Sequence, residues 1–262
     1  MMRTPTRGIR ILGVGLEIAV PIGALALWAA LTRDGSSFYF PPLLDIFRTF
    51  QETWLFAGMG TDVVPSLSRL LSGYAIAVVA GVVVGVALGS SHPLRRMVDP
   101  VVQFLRAIPP PVLIPAGILV LGVNSTMKVA LIAFVCLWPI LLNTIDGVGG
   151  VDPTLRETAR SFQIPRRDRL FRVVLPSAAP QIFAGARVSL ALAVIMMVVS
   201  EMVASTNGIG YFVLQSQRTY AITEMWSGIL LLAILGYVLN ALFLLVERRA
   251  LRWHRGARTG SA

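Results

Sequence analysis

This chain of 262 residues has little of what cross-links a protein or catalyses a reaction. Its single cysteine, Cys136, excludes a disulfide framework, and its two histidines, His92 and His254, are too few for a Cys/His-rich zinc site. Lysine is nearly absent: of 23 basic residues only Lys128 is not arginine. It follows Met127, so the chain has no G-x-x-x-x-G-K-[ST] loop, and any work on nucleotides falls to a partner. Charged residues of both signs reach only 14 %, against roughly 25 % in a typical soluble domain. What is present instead is apolar surface, with 55 % hydrophobic residues. A water-soluble globule of this size could not hide so much of it, so the surrounding solvent is lipid.

A bilayer-crossing helix needs about 20 largely apolar residues. Clear candidates run over 11–31, 70–88, 182–203 and 226–246. Two more are irregular. The run 101–123 is interrupted by Arg106, Pro109, Pro110, Pro111 and Pro115, and the run 129–145 carries Pro139 and Asn143. Prolines and polar groups at that depth are tolerated where neighbouring helices or a wet cavity satisfy the freed backbone, which places this pair inside a bundle. The expectation is an all-α polytopic bundle of about six transmembrane helices.

The net charge of +10 is arranged by position. With the N-terminus in the cytoplasm, six spans bring the basic tail 1–10, Arg95, Arg96, the arginines of segment 150–176 and the basic tail 248–262 to the cytoplasmic side. Of the arginines, the opposite loops hold only Arg33, Arg48, Arg69 and Arg218. This is the asymmetry of the positive-inside rule, and it leaves no face for nucleic acid. The transmembrane domain then covers 11–247. The first span also carries Ala24-Leu25-Ala26, which resembles a signal-peptide cleavage site, but its apolar run continues to Leu31.

Within the second span Gly73, Ala77, Gly81, Gly85 and Gly89 recur every fourth residue, a stripe against which another helix can pack closely. Between the first two spans, Phe38, Tyr39, Phe40, Phe47 and Phe50 suit a membrane interface and a short packing helix. Intramembrane charges are functional candidates because they are costly in hydrocarbon. Glu201 lies near the outer end of the fifth span, where a neighbour or backbone donors would pair with it. Arg187 stands about 21 Å away along the same helix, so the two cannot pair within it, and snorkelling is expected. Arg106 suits either a structural ion pair or the mouth of a pathway. Glu17 suits pairing inside the bundle, and Asn143 and Asn240 suit hydrogen bonds between helices.

The segment after the fourth span is the most informative. Glycines at 147, 149 and 150 end a helix and Asp152-Pro153 begins another, expected over 154–163 with Ala159 and Phe162 on its apolar side. Ile164-Pro165 breaks it, and an amphipathic stretch over 167–174 leads to Leu175-Pro176. By itself this is either a solvated loop or a docking knob for a cytoplasmic protein.

The run Glu157-Thr158-Ala159, position 163 and Val173-Val174-Leu175-Pro176 resembles the E-A-A-x3-G-x9-I-x-L-P loop of permeases of ABC importers. Three further stretches resemble the nitrate, sulfonate and taurine permease group. They are Ser68-Arg69-Leu70-Leu71-Ser72-Gly73-Tyr74, the run from Leu105-Arg106-Ala107-Ile108-Pro109 to Leu113-Ile114-Pro115, and Glu201-Met202-Val203-Ala204-Ser205-Thr206-Asn207-Gly208-Ile209-Gly210-Tyr211. The resemblance covers roughly residues 60–247. Two positions depart from it: Thr158 replaces an alanine, and Gln163 stands where the family has a turn-forming glycine. A glutamine at positive φ carries a steric penalty, and Ile164-Pro165 offers an alternative break.

The resemblance implies a bundle like that of type I ABC importer permeases in a bacterial inner membrane. It implies two permease copies forming the pathway, ATPase subunits on the cytoplasmic face and an extracytoplasmic solute-binding protein on the other. ATPase coupling falls to Glu157, Thr158, Ala159, Phe162, Gln163, Pro165, Leu175 and Pro176. Arg106, Pro109 and Glu201 are the pathway candidates. No catalytic residue, metal or cofactor is implied, and the cargo would be a small solute such as an aliphatic sulfonate, taurine or nitrate. The alternative is an ion-coupled secondary transporter, although the inverted repeats common in that class are not evident.

Overall fold

The computed structural model describes residues 19, 20, 22–32 and 38–253, without the side chains of Phe56 and Ala57. The tail 1–10, Glu17, the start of the first expected span and residues 254–262 lie outside the described residues.

Among the described residues the secondary structure is helical throughout. Helix α1 (Ile22–Leu31) is followed by α2 (Leu43–Glu52) and two π-helical turns that lead into α3 (Val64–Gly89). Next come α4 (His92–Arg106), a 3-10 turn (Pro110–Val112), α5 (Leu113–Leu121) and α6 (Ser125–Gly149). The short helices α7 (Pro153–Ser161) and α8 (Arg166–Arg169) precede a π-helical turn and α9 (Leu175–Ala204), and the chain closes with α10 (Ile209–Arg218) and α11 (Ile222–Ala250). Helical runs over Met59–Gly89, Ser125–Gly149, Arg166–Ala204 and Ile222–Ala250 are each long and apolar enough to cross a membrane.

The third expected span differs from its reading. It is not one helix over 101–123, because α4 and the Pro110–Leu121 segment meet at a 79° bend. Pro109, Pro110 and Pro111 remove three consecutive amide donors, and Pro109 sits in an extended conformation (φ −60°, ψ 124°). The second span also begins earlier than expected, at Met59 rather than Leu70.

The glycine stripe sets the packing. A Cβ built on Gly73 would lie 2.8 Å from Ile132, on Gly81 2.7 Å from Ile140, on Gly85 2.6 Å from Thr144 and on Gly89 2.8 Å from Val148. The partners advance in step with the glycines, so α3 and α6 run parallel with their backbones nearly in contact. Two parallel crossings need a return between them. That return is the bent α4/α5 unit, which leaves α3 at Gly89 and delivers the chain to Ser125, beside Arg69 near the start of α3. The bent pair therefore counts as one crossing.

Helix α9 runs antiparallel to α6. Ser189 donates to the Cys136 carbonyl at 2.7 Å, and a Cβ on Gly185 would strike the Pro139 carbonyl at 2.6 Å, about one turn away in the opposite sense. Leu70, Met127, Ile132, Ile140 and Met197 are buried where α3, α6 and α9 meet. Helix α11 is peripheral. Only Ser227, Gly228 and Leu231 on it are buried, while Tyr237, Leu242 and Leu245 face outward, as suits a helix solvated by lipid. The inter-span helix α2 packs on α11, and Trp28, Phe40 and Trp226 cluster beside it, in line with the packing role read from the aromatics.

Three polar residues depart from expectation. Arg187 does not merely snorkel but ion-pairs with Glu247 on α11. Asn143 donates to the Pro139 carbonyl in its own helix at 2.8 Å rather than between helices. Asn240 lies exposed on α11.

Candidate functional site

Three places carry chemistry. The first is a buried charge cluster where α3, α9 and α10 meet, at the end of the bundle away from most of the arginines. Glu201, one turn from the end of α9, is fully buried. Its carboxylate accepts from Arg69 Nη1 at 2.8 Å, and the Ser66 hydroxyl lies 2.8 Å from both of its oxygens. The Gly210 amide donates to it at 3.1 Å.

The cluster also caps α10. Amides in the first turn of a helix have no partners within it. Here Gly208 N–H donates to Asp62 at 2.7 Å, Ile209 N–H to Ser66 at 2.9 Å and Gly210 N–H to Glu201. Two carboxylates thus face the positive end of the helix dipole. Arg69 finishes the arrangement by donating to the Asn207 side chain at 2.5 Å and to Ser125 of α6 at 3.1 Å. Gly208 has φ +114°, and a Cβ there would fall 2.5 Å from the Glu201 carboxyl carbon. A glycine is needed for both reasons.

Glu201 is therefore a paired helix-end carboxylate, and Arg69 is its cation. Arg69 stands on α3, not in the outer loop expected for it. Asp62, Ser66 and Arg69 are spaced i, i+4 and i+7, and that spacing puts all three on one helical face.

The second place is the segment at the opposite end, where Arg156, Arg160 and Arg169 line one small cavity and Arg95 pairs with Asp146 at 3.0 Å. Asp152 caps α7 by accepting from the Thr154 amide at 2.8 Å, and Arg156 donates to the Val148 carbonyl, tying α7 to the end of α6. Ala159 is buried against the chain itself, whereas Glu157, Thr158 and Phe162 are exposed, Phe162 by 77 %. Ala159 and Phe162 thus do not share a face as expected. Thr158 Oγ1 donates to the Thr154 carbonyl at 2.8 Å.

Gln163 takes the conformation its family glycine would take, with φ +54°. Its amide donates to Arg160 at 2.9 Å and the Ile164 amide to Ala159 at 3.1 Å, the paired bonds of a Schellman termination. Pro165, exposed, then starts α8. The break uses both the left-handed residue and the proline, and Leu175 and Pro176 are half-buried at the start of α9.

The third place is a cavity of about 360 Å³ at the bend between α4 and α5, lined by Arg106, Pro110, Phe134, Trp138, Pro139 and Leu192 among others. Arg106 is exposed and donates to Gln103 at 2.8 Å, leaving its terminal nitrogens uncommitted by any ion pair. The Trp138 indole N–H is buried without a hydrogen-bond partner. Pro109, exposed at the bend, is next to the lining. Among the described residues no group of three or more His, Cys, Asp or Glu side chains could hold a metal.

These features define a polytopic helical membrane protein with a short helix projecting at its arginine-rich end. Residues 77–252 match the family described as the binding-protein-dependent transport system inner membrane component, and the chain belongs to that family. It is the permease component of an ABC importer, a transport subunit rather than an enzyme. A Brucella abortus protein assigned as an ABC transporter permease is 31 % identical over 95 % of this chain and 99 % of its own length. A Bacillus subtilis permease protein assigned to aliphatic sulfonates transport is 29 % identical over 90 % of this chain and 86 % of its own. The bicarbonate transport system permease protein CmpB of Synechococcus elongatus is 28 % identical over 92 % and 90 %. Among solved structures, the methionine ABC transporter MetNI in an inward-facing conformation superposes with a TM-score of 0.64 over 72 % of this chain and 94 % of that one. At 21 % identity this is a likeness of fold.

Proposed function

We propose that this permease resides in a bacterial cytoplasmic membrane, pairs with a second copy to enclose the pathway, and imports a small inorganic or organic anion. ATPase subunits bind its arginine-rich end and a solute-binding protein delivers cargo to the other. The observation that carries the coupling reading is α7. It is short, capped at both ends and fixed to α6 through Arg156, yet it turns Glu157 and Phe162 outward. A rigid charged knob with one exposed aromatic is suited to a groove on a soluble partner. Ala159 supports it from beneath.

An anionic cargo is supported by the relatives assigned to aliphatic sulfonates and bicarbonate and by the cavity at the bend. Among the described residues, that cavity is lined by Arg106 and Trp138 and by no carboxylate. An anion needs such donors once it leaves water. Glu201 is remote from this role because its oxygens are already engaged.

The test of coupling is Glu157→Lys. Losing one partner of an interfacial charge pair costs about 2–5 kcal/mol, and the lysine adds like-charge repulsion. The variant should insert at normal levels, release the ATPase from the membrane and lose transport. Retention of the ATPase with transport intact would place the coupling site elsewhere. For cargo, the ligand that copurifies with the cognate binding protein should be an anion, and Arg106→Gln should reduce its uptake while ATPase retention stays normal.

A further inference from the structure

A groove at the arginine-rich end is used by none of this. Between the last two turns of α3 and the π-helical turn Leu170–Val174 lies a cavity of about 580 Å³, walled by Val82, Val83, Val86, Leu170, Phe171 and Val174. Its polar end holds Ser90, Arg166 and Arg169. A smaller cavity of about 120 Å³ is lined by Ser90, Arg156, Arg160, Arg169 and Val174, so the two share Ser90, Arg169 and Val174. Among the described residues neither has a carboxylate in its lining. The nearest acid along the chain, Asp168, is paired with Arg172 at 3.5 Å. Arg156 commits one terminal nitrogen to the Val148 carbonyl, and its Nε is buried without a partner.

We propose that this pair of cavities binds an anionic phospholipid of the adjacent leaflet, with its phosphate among Arg156, Arg160 and Arg169 and an acyl chain along the valine face of α3. Charge and depth both argue for it. Three guanidiniums without a carboxylate among them form a strongly cationic cup, and arginine matches phosphate oxygens in a fork geometry. Ser90 ends the span, so it stands at headgroup level, and Val82 lies about 12 Å further into the hydrocarbon along the helix. The transition from cationic to apolar lining therefore coincides with that from headgroup to acyl chain. A soluble phosphate ester would use only the cup and leave the groove empty. This inference depends neither on the cargo nor on the coupling role of Glu157.

The experiment places a fluorophore in the groove with Phe171→Trp and reconstitutes the permease with its ATPase in nanodiscs. Brominated phosphatidylglycerol or brominated phosphatidylcholine, each diluted in unlabelled phosphatidylcholine, serves as quencher, read against the same assembly without the added tryptophan. Brominated phosphatidylglycerol should quench far more strongly at equal content. An arginine facing an anionic headgroup is worth about fivefold in affinity, so Arg160→Gln with Arg169→Gln should cut the preference by about 25-fold. Normal insertion and helicity of that variant exclude misfolding as the cause. Equal quenching by both lipids would overturn the site, as would absence of quenching by either, which would mean that protein covers the groove. Displacement of brominated phosphatidylglycerol by glycerol 3-phosphate would also overturn it, since a free phosphate ester would then be the ligand.

Discussion

Glu201 and Arg69 show how a single charge is made tolerable inside this bundle. The carboxylate is surrounded by a guanidinium, a hydroxyl and a helix-terminal amide, and the guanidinium and the hydroxyl each hold a further partner. Removing one member of a buried pair strands the other, at a cost of about 3–5 kcal/mol. Arg69→Met and Glu201→Leu should therefore each lower the thermal stability of the detergent-purified protein sharply. The double variant should lose less than the sum of the two, and strict additivity would show that the pair is not energetically coupled. The motifs around Arg69 and Glu201 were legible in the sequence, but their partnership was not, because they lie on different helices and the assumed helix start hid the face shared by Asp62, Ser66 and Arg69.

At the scale of elements, the α3/α6 seam and the end of α7 are the informative cases. Leucine at Gly85 would force α3 away from Thr144 across a seam where the hypothetical Cβ already lies 2.6 Å from it. Overpacking of this kind costs about 1–3 kcal/mol or more, so Gly85→Leu should depress the yield of folded protein in size-exclusion profiles. Gln163 presents the opposite case. A left-handed conformation costs a non-glycine residue about 1–2 kcal/mol, so Gln163→Gly should raise stability by about 1 kcal/mol with the turn unchanged. A melting temperature that falls instead would mean that the glutamine side chain is itself held. The glycine period announced the seam directly. The bend at Pro109 was legible only as an interruption, since consecutive prolines say that a helix stops but not where the chain goes next.

For the whole molecule, the parallel α3/α6 pair and the antiparallel α6/α9 pair impose an alternating topology on 64–204. Together with the arginine distribution, this predicts that segment 150–176 faces the cytoplasm. In a Cys136→Ser background, a membrane-impermeant thiol reagent applied to intact cells should label Thr206→Cys and miss Arg160→Cys. Serine keeps the donor that Cys136 directs at the Ser189 carbonyl at 3.2 Å, so the background should stay folded. Labelling of Arg160→Cys from outside would reverse the topology.

Some of this was settled by composition and spacing alone. Apolar content demanded lipid, arginine placement gave each end its character, a four-residue glycine period demanded a close helix pair, and the Glu157 to Pro176 pattern together with the stretches around Arg69, Arg106 and Glu201 carried the family resemblance. These properties are additive along the chain or repeat at helical periods, so they survive without coordinates. Tertiary structure alone decided which helix met the glycines, which cation met Glu201, that Arg187 would find Glu247 and that Ala159 would be buried while Phe162 was left outside. Each of those depends on the relative rotation of helices distant in sequence. A rotation of that kind is chosen by side-chain packing over the whole bundle, so no local pattern encodes it.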